Sequence, residues 1–316
     1  MLRLFLFVIF GVFSYAGGNC DHLNPLLGQS FAGGADPYAG IYQKNSTVMR
    51  YVEPVRVEEN CFLIDNLRTL GTGETAVKKP VWSSLLVDVK KLKRVYMMTN
   101  DFKVNIMDVD YNAGHAQLLF EFHPGGALSP QGEIKGFANS FEAYRDDEVS
   151  YDATGAGMNG GYDSIFVFAE YNYTFHYAAE RNESTNLLEL KLTQEEAENL
   201  LRVSLREATD RKALQANKYH TIFNSCVSNQ FRIMNLSLPE EKKIPPIQEM
   251  FDETNYQVLL AGLTKTTAVI LSRRDLLVSH LTLLCPDEAL AYLESASSFH
   301  AEAIARQHIF NYLYKY

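Results

Sequence analysis

The chain has no long apolar run beyond its N-terminus. No later segment approaches the roughly 20 consecutive apolar residues that a membrane-spanning helix needs. It also lacks a positive balance: the formal net charge is -9, which argues against nucleic acid or an anionic membrane surface as the main partner. The run Lys90-Lys91-Leu92-Lys93-Arg94 is short and interrupted, and reads as a solvated face. HExxH and paired Cys-His spacings are missing, so no zinc site is expected. Neither a GxxxxGK[ST] loop nor a strand-GxGxxG-helix unit occurs, and no metal or cofactor is expected at all. Cysteine is scarce, at four residues in 316, whereas 47% of the chain is hydrophobic. A chain of this size buries a core without covalent staples.

What is present begins with a leader. Arg3 precedes the apolar run Leu4 to Phe10, and Ser14-Tyr15-Ala16 stands before Gly17-Gly18. This short hydrophobic stretch followed by small residues is the pattern of a cleaved secretory signal, residues 1–16, and places the remainder outside the cytoplasm, periplasmic or secreted. Cys20, Cys61, Cys226 and Cys285 then all face an oxidising compartment, where four cysteines allow three full pairings. The preferred arrangement is a Cys20–Cys61 bridge that ties down the N-terminal segment, with Cys226 free and Cys285 buried or idle. Two disulfides, with Cys226 bonded to Cys285, form the specific rival.

Residues 17–89 begin rich in Gly, Pro and Asn and are expected to form an irregular segment that wraps the core. Residues 90–240 carry the chemistry-bearing unit. Arg94–Met98, Phe102–Met107, Ala116–Phe122, Ile134–Tyr144 and Ser164–Phe168 alternate or run apolar between turn residues, as half-buried strands do. The glycines of Asp152–Tyr162 suit a loop with unusual backbone angles. Leu187–Thr193 alternates again, and Thr193 with Glu196 forms a capping box that opens a helix to about Ala208. A second helix is expected from Asn224-Ser225 to Pro239. Residues 241–316 are expected to be helical: Gln257–Leu263, a run through Ala268–Leu271 and Leu276-Leu277, and Asp287–Tyr314.

Cys226 thereby falls in the first turn of a helix. Unpaired N–H groups and the positive dipole end favour a thiolate there and can hold an oxyanion. Far upstream, Gly114-His115 heads the apolar run of a strand. A nucleophilic thiol needs such a base, and the base can be distant in sequence. Helix-borne cysteine and strand-borne histidine are the parts of a papain-like site, here with histidine first. The residue that orients His115 is open: Glu170 from another strand and Asn229 one turn along the cysteine helix are candidates. Glu121 lies too far along His115's own strand.

An ordered series of motifs carries a resemblance. Gly114-His115-Ala116, Gly160-Gly161-Tyr162, Glu170-Tyr171, Arg181 leading into Leu190-Lys191-Leu192-Thr193 and a helix, then Tyr219 to Cys226, together resemble the Lnb-like family. This is the family of extracytoplasmic domains typified by the lipoprotein intramolecular transacylase, and the match covers roughly residues 90 to 240. A looser similarity extends to permuted NlpC-type hydrolases. The family usually places Asn directly before the cysteine, whereas Ser225 stands there and Asn224 one residue earlier. The typical transacylase is membrane-bound, and no spanning segment is found in this sequence.

The resemblance implies an α+β fold with a permuted papain-like (NlpC-type) core, an antiparallel sheet packed on helices, and extra C-terminal helices. It further implies an extracytoplasmic thiol acyltransferase or hydrolase in which Cys226 and His115 are catalytic and Asn224 and Ser225 support the oxyanion. The substrate would be an acylated or peptide molecule at the cell envelope, with peripheral contact to lipid. Peptidoglycan or peptide amide hydrolysis, and a non-catalytic envelope binding module, are the alternatives.

Overall fold

A computed structural model of the protein describes residues 20–28, 49–71, 80–106, 109–145, 149–152, 155–181, 183–221, 223–245 and 267–283. The leader, Cys285 and the helices expected at 257–263 and 287–314 lie outside the described residues.

The architecture is mixed α+β, built on one large and mostly antiparallel sheet. Its strands are β1 (Glu53–Val57), β2 (Cys61–Thr69), β3 (Val81–Asp88), β4 (Leu92–Ile106), β5 (Val109–Phe122), β6 (Ala127–Ser129), β7 (Gly132–Glu133), β8 (Gly136–Tyr144), β9 (Asp163–Glu170), β10 (Ser184–Leu190) and β11 (Leu277–Leu283). The order across the sheet is β11-β10-β4-β5-β8-β9-β2-β3-β6-β7, with β1 paired to β2. The β2–β9 contact is parallel and short, Leu67 opposite Phe168 and Arg68 opposite Ala169.

Helices α1 (Tyr171–Glu180), α2 (Gln194–Thr209), α3 (Arg211–Ala216) and α4 (Cys226–Ser237) accompany the sheet. The Thr193–Glu196 capping box is formed at the start of α2. Successive strand residues point to opposite faces, and both faces of the central strands are covered. Met97, Leu118, Phe137 and Leu188 join the main core with α2 and α4, while Met98, Leu119, Ala138 and Leu187 pack with Tyr171 and Phe175 of α1. The strands expected to be half-buried are therefore buried on two sides, which is why they read as nearly continuous apolar runs. Phe137 anchors the middle, with its ring 5.6 Å from Phe120 and 5.1 Å from Phe168.

Two expectations are corrected. The segment 17–89 is not simply irregular, because β1, β2 and β3 belong to the sheet. Its apolar residues pair with β9 and β6 across the chain, a long-range partnership that local composition does not reveal. Leu276-Leu277 does not continue a helix: residues 267–273 are helical, then Asp275 takes a positive φ of 54° and Leu277–Leu283 forms β11 against β10. The aromatic run Tyr171 to Tyr177 forms helix α1, whose Tyr171, Tyr173 and Phe175 are buried.

The basic run is paired, not merely solvated. Lys90 meets Glu198 at 2.6 Å, Lys93 meets Glu121 at 2.6 Å, and Arg94 lies 3.9 Å from Glu189.

Cys20 and Cys61 form a disulfide across 41 residues and, with Leu23, Leu63 and Leu86, make a small core of their own. Closing a loop of that length restricts the unfolded chain by about 4 kcal/mol. Cys61→Ser is expected to lower the unfolding free energy by about 2–4 kcal/mol in a denaturant titration, and an unchanged midpoint would refute a stabilising role for the bridge.

Candidate active site

The pairing of β5 with β8 runs from Glu121–Gly136 to Gln117–Ser140 and stops there. Beyond that point β5 continues against β4, with Asn100 opposite His115 and Thr99 opposite Ala116. Helix α4 packs on β5 and β8, and its first residue, Cys226, is buried and free of any disulfide. Its sulfur lies where the two strands part. The backbone N–H groups of Ala116 and Val227 face it, and the neighbouring His115 ring acts on the thiol chiefly by charge.

The helix start is locally specified. Ser225 is the N-cap, and its hydroxyl accepts from Ser228 N at 3.4 Å while Ser228 Oγ accepts from Ser225 N at 2.7 Å. Asn229 Nδ2 donates to Asn224 Oδ1 at 2.5 Å, and Asn224 Nδ2 donates to Lys218 O at 2.6 Å. Asn224, Ser225, Ser228 and Asn229 together brace the turn that presents Cys226.

Charge decides the protonation of the pair. Burial works against a thiolate at Cys226, yet the His115 charge, the contact with the ring and the two N–H groups outweigh it and hold the thiol below its ordinary value. Burial likewise opposes an imidazolium at His115. The Cys226 charge and contact, with the charges of Glu142 and Glu183, push His115 up to about 9. Each charge thus favours the ionised form of the other.

Of the candidate orienting residues, neither Glu170 nor Asn229 takes the place beside His115. Glu170 caps the other end of β9, opposite Phe137, and bonds Asn172 Nδ2 at 3.3 Å. The residue at the ring is Ser140, whose Oγ lies 2.6 Å from His115 Nε2. A signal for it was present, since Asn139, Ser140 and Glu142 interrupt an otherwise apolar strand, and polar residues in a buried strand need a reason.

Tyr219 also reaches the site. Its oxygen is in hydrogen-bonding contact with the Cys226 backbone N–H, and burial together with the nearby Cys226 charge holds its hydroxyl well above the ordinary value. Its ring stacks on Phe141 at 5.9 Å, and Tyr219 bridges to Tyr162 at the end of the glycine loop. That loop does not cradle an anion. The Asp152 carboxylate accepts from Gly155 N at 2.8 Å and Ala156 N at 3.3 Å, using the N–H groups a phosphate would need. Instead Gly157 O accepts from Thr221 N, so the loop buttresses the segment leading to Cys226.

The family model for the Lnb N-terminal periplasmic domain matches residues 80–256, more than half of the chain. The chain belongs to this family. Among curated proteins and solved structures, nothing matches it at a significant level. The matched span holds His115, Ser140, Tyr219 and Cys226 together, and also covers β4 through α4. Among the described residues, no helix is long and apolar enough to cross a membrane.

The helix cap carries a measurable share of this arrangement. Ser225→Ala is expected to cost about 1 kcal/mol of stability by denaturant unfolding, since it frees the Ser228 N–H at the start of α4. A change within error would show that the cap is dispensable.

Proposed function

We propose that this domain is an extracytoplasmic cysteine-dependent acyltransferase or hydrolase with a permuted papain-like core. The observation that carries the reading is the buried, unbridged Cys226 at a helix start, coupled to His115 on a neighbouring strand. Histidine on a strand and cysteine on a helix packed against it support the permuted papain-like description.

The chemistry follows from the charges. The Cys226 thiolate attacks an ester or amide carbonyl, and the positive end of the α4 dipole favours the oxyanion that forms there. The His115 imidazolium protonates the leaving group, and an acyl-thioester remains on Cys226. An amine acceptor then makes the protein an N-acyltransferase, and water makes it a hydrolase. Membership of a periplasmic domain family favours an acylated or peptide substrate of the cell envelope, with lipoprotein as the leading class. Peripheral contact with lipid accords with that class.

Incubation with a diacylated lipopeptide and, separately, with purified cell wall tests both class and substrate. Acyl transfer or release from the lipopeptide is expected, blocked by iodoacetamide and reduced at least about 10³-fold in both Cys226→Ala and His115→Ala. Cleavage of cell wall alone would reassign the protein to peptidoglycan hydrolysis. Undiminished turnover in either variant would refute the assignment, and binding without turnover in the wild type would favour an envelope binding module.

A further inference from the structure

We propose that Ser140 and Glu142 are positioning residues for His115, with Ser140 holding the ring through Nε2 and linking it to the carboxylate of Glu142, which Arg68 anchors. The proposal rests on the Cys226–His115 reading above and adds the groups that make it work.

The placement follows from strand geometry. Ser140 and Glu142 stand two positions apart on β8 and share a face. Continuing the β5–β8 register two positions past Gln117–Ser140 sets Glu142 opposite His115, where the strands no longer bond. Ser140 Oγ lies 2.6 Å from His115 Nε2, and its hydroxyl stands near enough to the Glu142 carboxylate to hold it down. Arg68 Nη1, on β2, is 3.9 Å from Glu142 Oε1. The Arg68 guanidinium is itself wedged between aromatic faces, 5.8 Å from the Trp82 ring centre and 5.2 Å from that of Tyr173. Its side chain is 8% exposed and that of Glu142 20%, so the pair acts through protein more than through water.

The charged groups around His115 are Cys226, Glu142 and Glu183, with Arg68, Arg145 and Arg181 behind the two acids. Glu183 is committed elsewhere: Arg181 Nε binds it at 2.7 Å and Asn100 Nδ2 at 3.1 Å. Burial raises it, whereas at Glu142 the opposing effect of burial is outweighed by Arg68, His115 and Ser140. Glu142 is thus the acid whose charge the surroundings favour beside the ring.

In this arrangement His115 donates its Nε2 hydrogen to Ser140 Oγ, and the Ser140 hydroxyl donates to Glu142. Both hydrogens stay in place throughout. The fixed Nε2–H leaves Nδ1 as the nitrogen that takes the thiol proton and returns it to the leaving group.

Alkylation of Cys226 by iodoacetamide, followed against pH on the Cys226 peptide of the full chain, tests this without a substrate. Removing the Glu142 charge weakens the imidazolium and with it the thiolate. Glu142→Gln is therefore expected to move the acid limb of the rate profile up by about one pH unit, a roughly tenfold slower reaction on that limb. Ser140→Ala should move it in the same direction, and Ser140→Thr, which keeps the hydroxyl, should stay near wild type. If Glu142→Gln does not fold, the Ser140 pair decides alone. Acid limbs unmoved in Ser140→Ala and Glu142→Gln, or moved equally in Ser140→Ala and Ser140→Thr, would overturn the proposal while leaving the Cys226–His115 pair standing, provided His115→Ala abolishes the low limb. A wild-type profile with one limb at an ordinary thiol pKa, unaffected by His115→Ala, would overturn both.

Discussion

The parting of β5 from β8 is the constraint on which the site depends. Once Gln117 and Ser140 have paired, the strands separate, and the Ala116 N–H faces a sulfur instead of a neighbouring strand. A buried N–H must find a partner. The first turn of α4 fills the opening, and Cys226 is at once a plug in the core and a thiol beside a histidine. Cys226 is 5% exposed yet lies near enough to His115 to shift it by charge.

Burying charge is costly, and the surroundings show how the cost is met. A thiolate and an imidazolium are each disfavoured by burial, but together they offset most of that penalty. The two acids nearest His115 are each matched to an arginine, Glu142 to Arg68 and Glu183 to Arg181. Charges of both signs therefore alternate across β2, β8, β5 and the start of β10. The sheet supplies fixed spacings between them, so little reorganisation is needed when a proton moves.

Several parts of this arrangement were legible in the residues. The Thr193–Glu196 capping box opens α2, and Ser225 caps a helix whose first residue is Cys226, because both signals act within one helical turn. The strands from Arg94 to Phe168 follow from apolar periodicity. Residues 53–88 were harder: β1, β2 and β3 pair with one another, but only short contacts with β9 and β6 tie them into the sheet. β11 was hidden for a similar reason, its apolar residues being equally compatible with a helix until β10 pairs with them. Ser140 was overlooked because a hydroxyl in a strand carries no marker of what stands across from it.

The sequence by itself determined the candidate residues and their local settings: a cysteine on a helix start, a histidine on a strand, and a run of motifs belonging to one family. Those depend on contacts within a few residues, and on patterns that repeat every two or 3.6 positions. Only the tertiary structure decided which groups meet. That Ser140, and not Glu170 or Asn229, stands against His115, and that Glu142 and Arg68 stand behind it, follows from strand register and from where two strands cease to pair. Register is set by the whole sheet at once, and no local stretch of chain contains it.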